Sequence, residues 1–191
     1  KLAPIMPTSS MGSTTPDAIS TIQASTLSMN PVMREAMSHF ERAVEIMNDS
    51  NAVESGNDTM RLAFNELRKS AELGFSEAQY ILAGMYETGE GIEVDKIMAY
   101  YWYSKASQQE HLTSMIQSGK MLARGEGVPM NPAEAADVLF RAGRGLMKES
   151  ECETLIEECI AEIRALGKQV AHLADDLSVD MASKKLSESG R

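Results

Sequence analysis

Apolar and polar positions alternate with a helical period along most of the chain. Asn30-Pro31 is typical of a helix start, with an N-cap residue followed by proline at the first helical position. From Met33 to Met47, apolar residues then recur at spacings of three and four. No apolar run approaches the roughly 18 residues that a membrane span needs. The pattern therefore predicts an all-α chain with no membrane span.

The helical stretches repeat every 36 residues through the middle of the chain. Ala63, Ala99 and Ala135 stand 36 apart, and so do Gly89 and Gly125. Similarity at a fixed period is typical of solenoids, in which each unit buries its apolar face by stacking on its neighbours. The sequence predicts a short α-solenoid of antiparallel helix pairs with a long C-terminal helix. Such a protein binds or holds other proteins.

Helix caps and turn glycines agree with this period. The segment 76–79 is a capping box that begins one helix, and Gly89 and Gly91 follow where that helix should end. Asp95 is placed to cap the next helix. In the second unit, Gly125 and Gly127 mark the turn, and Asn131-Pro132 marks the following helix start.

The C-terminal flank departs from the period, because Ala161 and Ile163 replace the turn glycines. We therefore expect one helix from about residue 149 to residue 177, with no turn. Apolar residues seven apart predict a helix seam, which either closes the end of the solenoid or mediates self-association. Gly167 weakens this helix, or alternatively breaks it. The seam residues are Ile156, Ile163, Val170 and Leu177.

Five segments follow from these patterns. They are a Ser/Thr/Pro-rich tail (1–30), a degenerate helical cap (31–58), the repeat core (59–147), the long amphipathic helix (148–178) and a polar tail (179–191). The first residue is Lys1 and not methionine, which is consistent with removal of a tag or of a targeting peptide for export or organelle import. The compartment stays open.

Composition narrows the class of partner. The net charge is −10 and the isoelectric point is near 4.8, whereas a nucleic-acid-binding domain carries a basic patch. We expect neutral or basic protein partners and no nucleic acid. Solvated helix faces are an equally good explanation of the acidity.

Residues with catalytic or metal-binding chemistry are scattered. His39, His111 and His172 lie in three different predicted elements, without a cysteine or glutamate at metal-ligand spacing. Cys152 and Cys159 are two helical turns apart, which is too far for a disulfide between them. We therefore predict no enzyme activity, no cofactor and no metal.

The residues 78–92 and 99–106 carry a family resemblance. With a Tyr-x-x-Gly-x-Gly turn followed by Trp102-Tyr103, they resemble the Sel-one-like repeat, a relative of the tetratricopeptide repeat. The second unit is similar but has Glu110 where the family pattern has glycine. The resemblance implies an all-α superhelix that binds or scaffolds proteins. By this similarity the partner-binding residues are Glu77, Tyr80, Gly84, Glu87, Thr88, Thr113, Ile116, Lys120 and Arg124.

Three functions are compatible with this resemblance. The first is a non-catalytic structural or accessory subunit of a larger assembly. The second is a free regulatory adapter that captures a partner peptide in the concave groove, and the third is an accessory to an envelope enzyme. Two core repeats give a short groove, which favours docking over peptide capture.

Overall fold

Eight helices and no strand make up the described part of the chain. The computed structural model describes residues 30–48, 56–148, 152–167 and 170–189. The predicted tail therefore lies outside the described residues except for Asn30. The helices are α1 (Pro31–Asn48), α2 (Gly56–Glu72), α3 (Ser76–Thr88), α4 (Lys96–Ser107), α5 (Leu112–Arg124), α6 (Pro132–Leu146), α7 (Glu153–Ala165) and α8 (Ala171–Ser189).

Polar caps and glycines fix the bounds of the central helices. The Asp95 carboxylate accepts hydrogen bonds from the backbone N–H groups of Ile97 and Met98, both at 3.0 Å, and so begins α4. Gly89 and Gly125 end α3 and α5 with φ values of 81° and 70°. Glycine tolerates this left-handed conformation at little cost, so both helices stop at the predicted residue.

Successive helices pack on one another to form a solenoid. The pairs α1 with α2, α3 with α4, and α5 with α6 are joined by close contacts, and each pair also packs on the next. The cores of these pairs fall into two clusters. Leu67, Leu82 and Trp102 belong to the first, and Leu139, Ile156 and Leu177 belong to the second.

Each glycine turn packs on the start of an earlier helix. A Cβ atom on Gly127 would lie 2.0 Å from the backbone oxygen of Lys96, at the start of α4. One on Gly91 would lie 2.8 Å from the backbone of Met60 in α2. Only glycine permits such a close approach between two backbones. The turns therefore lock adjacent repeats in register.

The prediction of one long helix over residues 149–177 is wrong. Helix α7 ends at Ala165, Gly167 has a φ of 105°, and α8 begins at Ala171. Gly167 breaks the helix, as the alternative interpretation of that glycine allowed. Helix α8 then contacts both α7 and α6, and a Cβ atom on Gly143 would meet Leu177 Cδ2 at 2.4 Å. The two helices form a further pair that covers the end of the repeats.

The predicted polar tail over residues 179–191 is also wrong as far as Ser189, because α8 continues to that residue. Met181 packs against the second core cluster, and the ammonium group of Lys185 lies 2.8 Å from the carboxylate of Glu153 in α7. These contacts hold the helix against its neighbour. At the other flank, α2 begins at Gly56, three residues before the predicted start of the repeat core.

Candidate partner-binding surfaces

The first helix of each repeat carries the residues that we predicted to bind partners. They lie on α3 and α5, which are consecutive first helices of the solenoid. One of them, Ile116, is buried and is treated separately below. The remaining eight define the first-helix face: Glu77, Tyr80, Gly84, Glu87, Thr88, Thr113, Lys120 and Arg124.

An aromatic and ionic cluster occupies the start of this face. The half-buried ring of Tyr80 lies 5.1 Å from the His111 ring and 5.9 Å from the Tyr103 ring, centroid to centroid. His111 Nε2 is 3.0 Å from the Glu77 carboxylate, and this hydrogen bond lowers the pKa of Glu77. Burial, followed by the charges of Glu77 and Glu87, raises the pKa of Tyr80. Tyr80 is therefore held as a neutral, oriented phenol.

Glu87 is the centre of a second network. Its carboxylate accepts a hydrogen bond from the Tyr103 hydroxyl at 3.0 Å and lies 3.3 Å from Lys96 Nζ. Lys96 also lies 3.3 Å from the Glu126 carboxylate. Burial opposes the charge of Lys96, but the hydrogen bonds to Glu126 and Glu87 prevail and raise its pKa. Lys96 thus bridges two successive repeats.

The end of the face is tied to the C-terminal helix pair. Lys120 forms an ion pair with Glu158, and the Arg124 guanidinium lies 2.8 Å from the Glu162 carboxylate. Both acidic partners belong to α7, so these pairs join α5 to α7. This pairing could not be predicted from the repeat, because the periodic unit does not include α7.

Ile116 is a correction to the predicted partner-binding set. Its side chain is 1% exposed and belongs to the same buried cluster as Ile156 and Ile160 of α7. Packing of α7 on the second repeat covers it. Tyr80, the residue 36 positions earlier, stays half-buried. The exposed members of the first-helix face are therefore polar.

The other members of the face differ in their exposure. Thr88 is exposed, and its hydroxyl donates to the Gly84 carbonyl at 3.0 Å. Thr113 is half-buried, as is Gly84, where a Cβ atom would come no closer than 3.7 Å to the Tyr103 hydroxyl. A methyl group at Gly84 would therefore be accommodated in ordinary van der Waals contact.

The predicted seam residues lie in the core. Ile156, Ile163 and Leu177 are at most 2% exposed, and Val170 is partly buried against the same cluster. They pack with Leu139 and Leu146 of α6. The seam therefore packs on the last repeat and covers its end.

Large apolar side chains are exposed on a different surface, around the start of α4. Ile97 is 68% exposed and Tyr101 is 45% exposed, one helical turn apart on the same side of the helix. Val94 and Met130 are 57% and 65% exposed and stand 36 residues apart, in equivalent turns. Met130 belongs to the turn that packs on the start of α4. We call Val94, Ile97, Tyr101 and Met130 the α4 edge.

The described residues offer little for metal binding. They contain no group of three or more histidine, cysteine or acidic side chains that could hold a metal ion. His39 and His111 each contact a glutamate, and His172 is exposed on α8. No described helix is long and apolar enough to cross a membrane.

The middle of the chain is similar to a known repeat family. The Sel1 repeat model matches residues 76–111 and 113–137. These ranges contain α3 with α4 and α5 with part of α6, which are the two helix pairs that carry the first-helix face and the α4 edge. No curated protein sequence matches the chain.

Solved structures give the fold. A Sel1 repeat protein from Oxalobacter formigenes is similar over 73% of this chain and 97% of its own, with 21% identity and a TM-score of 0.54. The uropathogenic Escherichia coli protective antigen c5321, which displays an SLR fold, is similar over 87% of this chain but only 33% of its own. The identity in that case is 20% and the TM-score is 0.59.

Proposed function

From the match of residues 76–111 and 113–137 to the Sel1 repeat model, we propose that this chain is a non-catalytic scaffold that docks as a structural or accessory subunit in a larger assembly. Sel1 repeats generally mediate protein–protein interaction, and the proteins that contain them are generally non-catalytic.

The observation that carries the proposal is the α4 edge. Ile97 and Tyr101 lie on the solvent side of α4, and Ile97, at 68% exposed, leaves most of its apolar side chain in water. Val94 and Met130 extend the apolar surface to two successive turns. Clusters of this kind mark interaction sites, whereas isolated exposed apolar residues are ordinary. Burial of this edge against a neighbouring subunit would remove it from water.

A rigid framework supports docking. The turns at Gly127 and Gly91 pack against α4 and α2. Lys96 forms ion pairs with both Glu87 and Glu126 and so joins the two repeats. A partner that binds the α4 edge therefore meets a preformed surface and pays little conformational entropy.

The first-helix face is the surface that the alternative function would use, in which a free adapter captures a partner peptide. Tyr80 gives it one oriented aromatic ring, and Glu77 and Glu87 flank that ring with carboxylates. Large exposed apolar anchors, which concentrate binding energy at interfaces, are absent from the described residues of this face. For this reason we place assembly docking at the α4 edge.

Size exclusion of an extract from the native cells tests the proposal. The tagged chain is compared with the double variant Ile97→Glu/Tyr101→Glu, with Thr88→Arg on the first-helix face, and with Val179→Glu. Val179 is a matched control because it is 64% exposed and lies on α8.

We expect the wild-type chain and the Val179→Glu control to elute together in an assembly far larger than the 20.9 kDa of the chain. The Ile97→Glu/Tyr101→Glu variant should elute as the free chain. Release by Thr88→Arg, with retention of the α4-edge variant, would instead support the peptide adapter. A wild-type chain that elutes alone would contradict the assembly role.

A further inference from the structure

A third surface feature is a cleft near the C-terminal end of the repeats. This open cleft of about 820 Å³ lies at the C-terminal end of α6, bounded by α5 and α8. Its cationic residues are Arg141, Arg144 and Lys148, and its floor includes Leu112 and Met115. We call it the α6 cleft.

The charge of the α6 cleft is opposite to that of the chain. The chain as a whole carries −10, yet three cations gather here within eight residues. Arg144 lies 3.7 Å from the Asp180 carboxylate and over the Phe140 ring. Within the described part of the chain, Arg141 and Lys148 have no carboxylate within ion-pair distance. Two exposed cations therefore remain available to a ligand.

The helix dipole explains only part of this cluster. Cations stabilise the last turn of a helix, and Arg144 and Lys148 lie in or just beyond the last turn of α6. Arg141 lies five residues before the last residue, Leu146, and so more than one turn from the end. The dipole effect falls off within the last turn, so it does not explain why a cation stands at Arg141.

The floor of the α6 cleft is apolar and fixed. A Cβ atom on Gly145 would lie 2.4 Å from Leu112 Cδ2, so α5 and α6 cross closely beneath the cations. Met115 is 3% exposed and Leu112 is half-buried. An apolar side chain of a ligand would rest on Leu112, below Arg141 and Lys148.

Glu110 limits what the α6 cleft accepts. It lines the cleft and adopts a φ of 61°, at the position where the preceding repeat has Gly74 with a φ of 96°. A non-glycine residue in this conformation is strained, and strained residues are found most often at functional sites. The carboxylate of Glu110 repels a uniform polyanion, and so favours a ligand with few, spaced negative charges.

We propose that the α6 cleft binds a short acidic peptide segment of a partner protein. Aspartate or glutamate side chains of the segment would pair with Arg141 and Lys148, and an apolar residue between them would contact Leu112. Nucleic acid is disfavoured because two available cations on a chain of −10 are too few to attract it. This inference goes beyond assembly docking at the α4 edge.

Fluorescence anisotropy with the full chain tests the inference. The probe is a fluorescein-labelled ten-residue peptide that contains four aspartates and two leucines, and its counterpart carries lysine in place of aspartate. The test variant is Arg141→Glu/Lys148→Glu. The control is Arg68→Glu/Lys105→Glu, which makes the same change in net charge at two cations exposed elsewhere. Thermal unfolding establishes that every variant is folded.

We expect saturable binding of the aspartate peptide that weakens as salt is added. The Arg141→Glu/Lys148→Glu variant should bind at least about tenfold more weakly, since hydrogen bonds to charged groups are the strong ones. The control should stay within about twofold of the wild type. Glu110→Gly should bind the aspartate peptide at least as tightly, because it removes a repelling carboxylate.

Three results would overturn the inference. One is binding of the lysine peptide as tight as that of the aspartate peptide. Another is equal weakening in the test variant and the control, which would indicate a nonspecific charge effect. The third is a dimer of the chain alone, in light scattering, that Arg141→Glu/Lys148→Glu dissociates, since the occupant would then be a second copy. None of these results bears on docking through the α4 edge.

Discussion

At the scale of single residues, Trp102 shows how a sequence pattern translates into packing. The repeat places a large side chain among Ala99, Tyr103 and Ala106, and the structure buries it to 8% exposure in the first core cluster. The indole Nε1, however, has no hydrogen-bond partner in the described part of the chain. The ring contributes through apolar contact.

This packing predicts different outcomes for two substitutions. Trp102→Ala should lower the free energy of unfolding by about 3–5 kcal/mol, because it leaves a cavity. Trp102→Phe should cost at most about 1.5 kcal/mol, since it keeps a ring and removes an N–H group that has no partner. Urea unfolding followed by circular dichroism measures both, because Trp102 is the single tryptophan. Equal costs for the two variants would contradict apolar contact as its role.

The two cysteines should differ in reactivity. Burial, followed by the Glu158 charge, raises the pKa of the Cys159 thiol to about 12, whereas Cys152 is half-buried at the start of α7. The reactive species is the thiolate, so Cys159 should be inert near neutral pH. Titration with a thiol reagent at pH 8 should find one reactive thiol in the folded chain and two in urea. Cys152→Ser should abolish the folded-state reaction; a remaining fast reaction would show that Cys159 is accessible.

Burial also distinguishes two of the residues that were predicted to bind partners. Tyr80 and Ile116 are equivalent in the repeat, and the family resemblance implied that both bind partners. Only Tyr80 stays at the surface, because α7 packs over the second repeat and covers Ile116. The packing of α7 depends on contacts outside the repeat, and the 36-residue period contains no information about them.

At the scale of elements, the helices inside the period were predicted and the C-terminal pair was not. The apolar spacing of seven runs from Ile156 to Leu177 without a break, and one helix or two helices can equally satisfy it. The turn stands later than the period requires: α7 begins 41 residues after Leu112, whereas α5 begins 36 residues after Ser76. With the same shift of five residues, α7 ends at Ala165, 41 residues after Arg124, and Gly167 follows at a position where the period places no glycine.

The turns between helices give a matched pair of substitutions. In Gly127→Ala, the new Cβ would lie 2.0 Å from the Lys96 backbone oxygen, and the φ of 70° is unfavourable as well. Gly74→Ala has a similarly positive φ but meets no atom within 4 Å. We expect a loss of about 1–2 kcal/mol for Gly74→Ala, from the backbone conformation alone.

Gly127→Ala should cost clearly more, at about 3 kcal/mol or above, because two backbones must separate. Equilibrium urea unfolding measures both variants. Equal losses for Gly127→Ala and Gly74→Ala would mean that the turn does not press on α4 in solution.

At the scale of the whole molecule, the two helix pairs that match the family model occupy the middle of the fold. Helices α1 and α2 extend the fold at one end, and α7 and α8 cover the other. The polar first-helix face is tied to its neighbours by ion pairs, while the largest exposed apolar side chains of the central repeats lie on the α4 edge. This division of polar and apolar surface is why we assign docking to the α4 edge.

Hydroxyl-radical footprinting tests this assignment most directly. The oxidation of each side chain is compared between the isolated chain and the chain in its native assembly. Ile97, Tyr101 and Met130 should be protected several-fold in the assembly, because docking removes them from water, while Val179 should be oxidised equally in both. Unchanged oxidation of the α4 edge, with protection at Tyr80 or Thr88 instead, would contradict the account.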